Sequence, residues 1–179
     1  MEQNLVIGHV GRFDAQKNHT FLLDIFSECV NIVPNARLLL VGDGEGRTQI
    51  QEKAKSLGLE EKVIFTGVRN DVADLLQAMD VFVFPSLYEG VPVTMIEAQA
   101  SGLPCVISDG VPKDCVITSG LVTSMKLSDR PCDWAKHIAA QLNRKRENHL
   151  EEIQAAGYDI VTAAKELENF YLKKYGEES

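Results

Sequence analysis

No stretch of the 179-residue chain approaches the roughly 18 consecutive apolar residues that a membrane-spanning helix requires. Met1 to Gly8 lacks the charged-then-apolar layout of a secretory signal. Basic residues are in deficit, 18 Lys and Arg against 26 Asp and Glu, for a net charge of −8, and no cationic run offsets that balance. Sequence-independent nucleic-acid binding needs a dense cationic footprint, so that class is excluded at the outset. Cysteines number four (Cys29, Cys105, Cys115 and Cys132) with no C-x-x-C pair, which argues against a zinc ribbon or a disulfide framework. Buried free thiols in a reducing cytosol are the expectation. Asp-x-Asp, a common divalent-metal holder, is absent; Asp43-x-Glu45 is its nearest imitation and reads as a polar turn. There is no internal repeat, low-complexity tract or long linker. What remains, 45% hydrophobic and 25% charged residues, is the composition of one globular domain with a full core.

Apolar runs and helical periods alternate along most of the chain. Leu5 to Val10, Ala36 to Val41, Val63 to Phe65, Val81 to Phe84 and Pro104 to Ile107 are short apolar runs bounded by Gly or Pro, with Leu121 to Met125 a sixth candidate. Between them, apolar residues recur at helical spacing, as at Phe21, Leu22, Ile25, Phe26, Cys29 and Val30, and Pro34 stops that segment. Strands that are apolar throughout and separated by helices imply a parallel sheet covered on both faces. The fold class is therefore a doubly wound α/β domain of about six strands over residues 1–130, followed by C-terminal helices over 131–179. Those helices are expected at Asp133 to Leu142, Leu150 to Ala156 and Tyr158 to Tyr175, and could pack on the domain or reach another neighbour.

Ligands of such sheets bind beyond the carboxyl ends of the strands, so the loops carry the candidates. The loop after the first strand, Gly11-Arg12-Phe13-Asp14-Ala15-Gln16-Lys17-Asn18, puts a guanidinium and an ammonium just ahead of a helix. An anion there gains two charge-assisted contacts and the helix dipole, although a solvated turn would read the same way. After the fourth strand comes Pro85-Ser86-Leu87-Tyr88-Glu89-Gly90-Val91-Pro92-Val93, with Glu97 inside the following helix. Carboxylates at Glu89 and Glu97 suit hydroxyl pairs of a sugar or ribose; a helix-start acid and a solvated helix position are the alternatives. Gly42-x-Gly44-x-Gly46 lacks the G-x-G-x-x-G spacing of a dinucleotide site. His9 is expected to be packed at a strand end, His19 to be a first-turn residue, and His137 and His149 to lie at the surface.

Five of these segments in order resemble one family. Gly8-His9-Val10-Gly11-Arg12-Phe13 with Gln16-Lys17-Asn18-His19, Val41-Gly42-Asp43-Gly44, Phe65-Thr66-Gly67, Pro85-Ser86-Leu87-Tyr88-Glu89-Gly90, and Glu97-Ala98 through Gly102-Leu103-Pro104 resemble the donor-binding half of family 4 glycosyltransferases. These are retaining enzymes of the two-domain GT-B architecture, each half Rossmann-like, and the loop wording is most similar to enzymes of bacterial capsule and exopolysaccharide assembly; with Asp-x-Asp absent and Arg12 and Lys17 as fixed cations, a metal-independent leaving group is the expectation. The resemblance implies that Arg12 and Lys17 hold the diphosphate of a nucleotide sugar, most commonly a UDP-sugar, with Gly11 passing close to it. It implies that Glu89 lies near the donor sugar and that Glu97 binds the ribose. Backbone amides around Gly90, Val91 and Val93 would face the sugar and the distal phosphate, and Val68 and Arg69 fall where the base is held. No cofactor is implied.

In that family an acceptor-binding domain precedes this one. The expectation is therefore a single donor-binding domain over residues 1–179 whose N-terminal acceptor domain lies elsewhere, in the same polypeptide or as a subunit. Such a chain would bind a nucleotide sugar but transfer little alone. A natural half-enzyme and a non-catalytic nucleotide-sugar-binding module are the alternatives. The implied setting is cytoplasmic, at the inner face of the membrane.

Overall fold

A computed structural model describes residues 5–118, 120–141 and 144–176. Six strands, β1 (Leu5–Val10), β2 (Ala36–Val41), β3 (Val63–Gly67), β4 (Val81–Phe84), β5 (Cys105–Ser108) and β6 (Val122–Met125), form one sheet of order β3-β2-β1-β4-β5-β6. Every pairing is parallel. The crossovers are α1 (His19–Ile32), α2 (Arg47–Ser56), α3 (Val72–Gln77) and α4 (Val93–Ala100). The tail carries α5 (Pro131–Gln141), α6 (Leu150–Ala155) and α7 (Ile160–Gly176). Short 3-10 turns at Glu60–Lys62 and Lys113–Cys115 complete the elements.

Strand alternation splits the core in two. Leu38 and Leu40 of β2 and Val81 and Val83 of β4 face one cluster, which α1, α2 and α5 cover through residues such as Phe26, Ile50 and Trp134. Leu39, Val41, Phe82 and Phe84 face the other, closed by α3 and α4 through Leu76, Met95 and Ala98. The period of two thus feeds both faces at once, which is why each strand reads as apolar throughout. Trp134 is fully buried, its ring edge-on to Phe21 at 5.7 Å, and its indole N–H donates to the Lys126 carbonyl at 3.2 Å. That contact fixes α5 along α1.

The three tail helices differ in how they pack. α5 and α6 join the domain, the latter burying Ile153 near α4. His149, expected at the surface, is instead buried at the start of α6, its Nδ1 2.7 Å from a Glu152 carboxylate oxygen. Burial follows from α6 lying down on the domain, a contact that local sequence does not encode. α7 buries no described residue: Ile160, Val161, Leu167, Phe170, Tyr171, Leu172 and Tyr175 are all exposed. It begins at Ile160 rather than Tyr158, with the Asp159 carboxylate accepting from the Thr162 amide and hydroxyl. The expected end of α5 at Leu142 lies outside the described residues.

Candidate active site

β1 and β4 are neighbours although 74 residues of sequence separate Ile7 from its partner Val81, so the sheet order reverses between them. Their carboxyl-end loops, residues 11–18 and 85–92, flank the crevice that a doubly wound sheet offers to ligands. Several hydrogen bonds stitch these loops together. The Leu87 amide donates to the Gln16 carbonyl at 2.8 Å, and Asn18 Nδ2 donates to the Pro85 carbonyl at 3.1 Å. Gln16 Nε2 donates to the Tyr88 carbonyl at 3.0 Å and to Glu89 Oε2 at 3.2 Å.

Lys17 closes the seam. Its Nζ lies 2.7 Å from Glu89 Oε1, with the two side chains only 17% and 5% exposed, and 4.8 Å from the centroid of the Phe84 ring. An ion pair so shielded from water is not screened as a surface pair would be, and the aromatic face adds a cation–π contact. Asn18 is in the left-handed region at φ 54°, unique among the described non-glycine residues, which turns the chain from the loop into α1. The loop after β2 packs close as well: the Gly11 amide donates to the Val41 carbonyl at 2.9 Å, and the Gly42 amide to the Gly67 carbonyl at 2.9 Å. Gly11 itself lies against the Lys17 stem, where an added Cβ would come within 3.2 Å of Cγ and Cδ.

Two histidines underlie the cluster. His9 Nδ1 is 2.9 Å from the Val83 carbonyl, and the rings of His9 and His19 meet edge-on at 4.7 Å, with Phe13 stacked on His19 at 4.2 Å. Burial, then the neighbouring His19, pushes the His9 pKa well down; burial, then Lys17, lowers that of His19 to about 4. Both rings are therefore neutral near pH 7, and Lys17 is the cation that faces Glu89. His9 is packed and hydrogen-bonded as its strand-end position suggested, and His19 begins α1 as expected, although buried.

The other sequence-selected side chains make no hydrogen bond or ion pair to Lys17 or Glu89. Arg12 is 83% exposed, its nearest charged partner being Asp14 at 4.0 Å. Gly90, Val91 and Val93 are exposed at the start of α4, whose N-terminus has no side-chain cap, and Glu97 is exposed on that helix. Val68 is exposed, and Arg69 is bound by both arms to Asp71, the pairing that holds the guanidinium pKa up and the carboxyl down. Val68, Arg69, Asn70 and Asp71 line a shallow depression. A deeper cavity of about 510 Å³ adjoins Arg12 and Asn18 and extends to Glu45 and Gln49 of the β2–α2 region, taking in none of Lys17, Glu89 and Glu97.

Sequence reasoning missed Gln16 and Gln99. Gln99, buried on α4, donates to the Cys115 carbonyl at 2.8 Å and accepts from the Ile117 and Thr118 amides at 2.9 and 3.1 Å. It pins the 109–118 loop, whose Gly110 carbonyl in turn accepts from the Glu89 amide at 3.1 Å. Among the described residues, no group of three or more His, Cys, Asp and Glu side chains is gathered to hold a metal ion. None of their helices is long and apolar enough to cross a membrane.

The family description "Glycosyl transferases group 1" matches residues 4–144. The chain belongs to the group 1 glycosyltransferases. It is 42% identical over 170 residues to the Bacillus subtilis (strain 168) protein described as a glycosyltransferase, EpsF, covering 93% of this chain and 44% of that protein. It is 30% identical over 178 residues to the "Capsular polysaccharide biosynthesis glycosyltransferase CapH" of Staphylococcus aureus, covering 97% and 49%. The chain thus spans about half the length of the curated relatives it matches. Among solved structures, Anabaena Alr3699/HepE in complex with UDP superposes with a TM-score of 0.78 at 24% identity, over 95% of this chain and 49% of that one. The group 1 glycosyltransferase domain described here accordingly has the Rossmann-like architecture of one GT-B half.

Proposed function

We propose that this glycosyltransferase domain binds the nucleotide-sugar donor, most commonly a UDP-sugar, and that the complete enzyme transfers the sugar, with retention of anomeric configuration, onto a growing or lipid-linked glycan of a bacterial surface polysaccharide. The observation that carries this reading is the Lys17–Glu89 pair in the crevice between the β1 and β4 loops, beside the exposed, uncapped start of α4. A cation, a carboxylate and free backbone amides at one crevice are the partners a sugar diphosphate needs. The capsule biosynthesis role in the name of CapH and the UDP bound to HepE support the substrate class.

The roles follow residue by residue. Lys17 and Arg12 meet the diphosphate, with Gly11 allowing close approach; as the glycosidic bond breaks, negative charge builds on that group and fixed cations stabilise it. This makes the reaction independent of a divalent metal. Glu89 accepts from the donor sugar's hydroxyls, the amides of Gly90, Val91 and Val93 meet the sugar and distal phosphate, Glu97 accepts from the ribose, and Val68 and Arg69 flank the base. The acceptor is bound by a second, N-terminal domain, and the apolar side chains exposed along α7 support docking against it. The working location is the cytoplasmic face of the membrane.

Calorimetric titration with UDP, GDP, ADP, their sugar conjugates and NAD, with and without magnesium, tests the reading. One preferred nucleotide bound equally well with EDTA is the expected result. Binding that requires magnesium overturns the metal independence, and binding of NAD alone overturns the donor site.

A further inference from the structure

Gln16, Lys17 and Glu89 form a closed triangle. The Glu89 carboxylate is nearly enclosed, one oxygen on Lys17 Nζ at 2.7 Å and the other on Gln16 Nε2 at 3.2 Å. Gln16 is itself fixed at both ends of its peptide and side chain, since its carbonyl accepts from Leu87 and its amide also donates to the Tyr88 carbonyl. The carboxylate therefore cannot swing away when an anion arrives at Lys17. It remains a fixed negative charge at the site, and one of the three ammonium protons is already committed to it.

From this geometry we infer that Gln16 is a positioning residue and that the Glu89 it holds makes the site discriminate a nucleotide sugar from the nucleoside diphosphate left after transfer. The inference rests on the donor-site reading above. A nucleoside diphosphate ends in a free phosphate whose second ionisation lies near pH 6, so at neutral pH it carries one more negative charge than its sugar ester. Facing a fixed carboxylate a few ångströms away, that extra charge is repelled in a site too shielded for salt to screen it fully. The sugar ester lacks the charge and supplies hydroxyls that donate to the same carboxylate. Attraction for the substrate and repulsion of the leaving product thus come from one group, and losing the sugar converts the first into the second. Lys17, supported on the Phe84 ring, remains in place for both ligands.

The test compares dissociation constants for UDP and UDP-glucose, in EDTA at neutral pH, for the wild-type chain and the variants Glu89→Gln and Gln16→Met. Glu89→Gln preserves shape and removes the charge; it is expected to bind UDP about tenfold more tightly while UDP-glucose gains nothing or loses. Gln16→Met keeps the backbone bond to Leu87 but frees the carboxylate to turn away, so UDP should bind a few-fold more tightly, UDP-glucose more weakly, and the advantage of UDP-glucose over UDP should collapse. Raising the pH from 5.5 to 7.5 should weaken UDP relative to UDP-glucose in the wild type and much less in Glu89→Gln. Equal shifts for both ligands, or weaker UDP binding in Glu89→Gln, overturn the inference and leave the donor site standing. If the wild type binds neither probe, nor any other nucleotide or sugar conjugate, the donor-site reading falls and this inference with it. Thermal melts of each variant, read alongside, identify any change caused by unfolding, and either variant alone suffices to reject the claim.

Discussion

A Cβ placed on Gly42 would fall 2.0 Å from the Gly11 carbonyl oxygen, so the turn after β2 and the turn after β1 touch backbone to backbone. Gly42 also has φ 136°, a conformation that side chains with a Cβ rarely adopt. Two independent constraints therefore require glycine here.

Gly42→Ala is expected to cost about 2–4 kcal/mol, from backbone strain and the displaced Gly11 carbonyl. Urea unfolding measures the loss. Because Gly11 lies on the Lys17 stem, nucleotide affinity should fall as well. A variant of unchanged stability would mean that the two turns do not meet as described.

Arg146 caps the carboxyl ends of two helices. Its guanidinium donates to the carbonyls of Leu76 at 2.7 Å, Gln77 at 3.2 Å and Ser101 at 3.0 Å, and also to that of Met79. Arg146→Ala leaves those acceptors without their partner and should destabilise the domain by about 2–3 kcal/mol. Arg146→Lys should recover only part of this, since an ammonium cannot span the same fork. Chemical denaturation of both variants, with full recovery by Lys as the contrary outcome, checks the assignment.

His19 is buried neutral, with its pKa lowered to about 4 from 6.5. The unfolded chain therefore binds a proton that the folded chain refuses between those values. Stability from this residue is complete above pH 6.5, declines as the pH falls toward 4 and is level below that. The loss approaches about 3 kcal/mol. His19→Phe, which stacks on Phe13 without titrating, should make the acid limb of a stability–pH curve shallower between pH 6.5 and 4, the slope that persists coming from the buried His9.

Gln99→Leu keeps the volume of a buried α4 residue and removes the acceptor for the Ile117 and Thr118 amides. A cost of about 2–3 kcal/mol is expected, with faster amide exchange confined to the 109–118 loop. Exchange unchanged in that loop would show that other contacts hold it.

Much of the sheet is legible in the chain because each strand is apolar throughout and ends at Gly or Pro. Helix bounds shift by one or two residues: α5 begins at Pro131 rather than Asp133, and α6 ends at Ala155 rather than Ala156. Candidates for diphosphate and hydroxyl recognition could be nominated from residue types in loops. What local sequence does not carry is adjacency. Gln16 gains its role from a loop 72 residues away, brought beside it by the β1–β4 pairing. The stretch from Arg144 to Glu147 is locally only a charged link between helices, yet Arg146 reaches back across 70 residues to Leu76. His149 is buried for the same reason.

The β1–β4 pairing also has a kinetic consequence. Lys17 is synthesised early, but its carboxylate partner follows 72 residues later, and the strand that delivers it pairs in parallel with one already flanked by β2. Long-range parallel pairing is slow because loop closure precedes its reward. A refolding chain should therefore recover its far-ultraviolet signal before it regains ligand binding, and a nascent chain still short of Phe84 carries the Lys17 ammonium without the Glu89 carboxylate it will face.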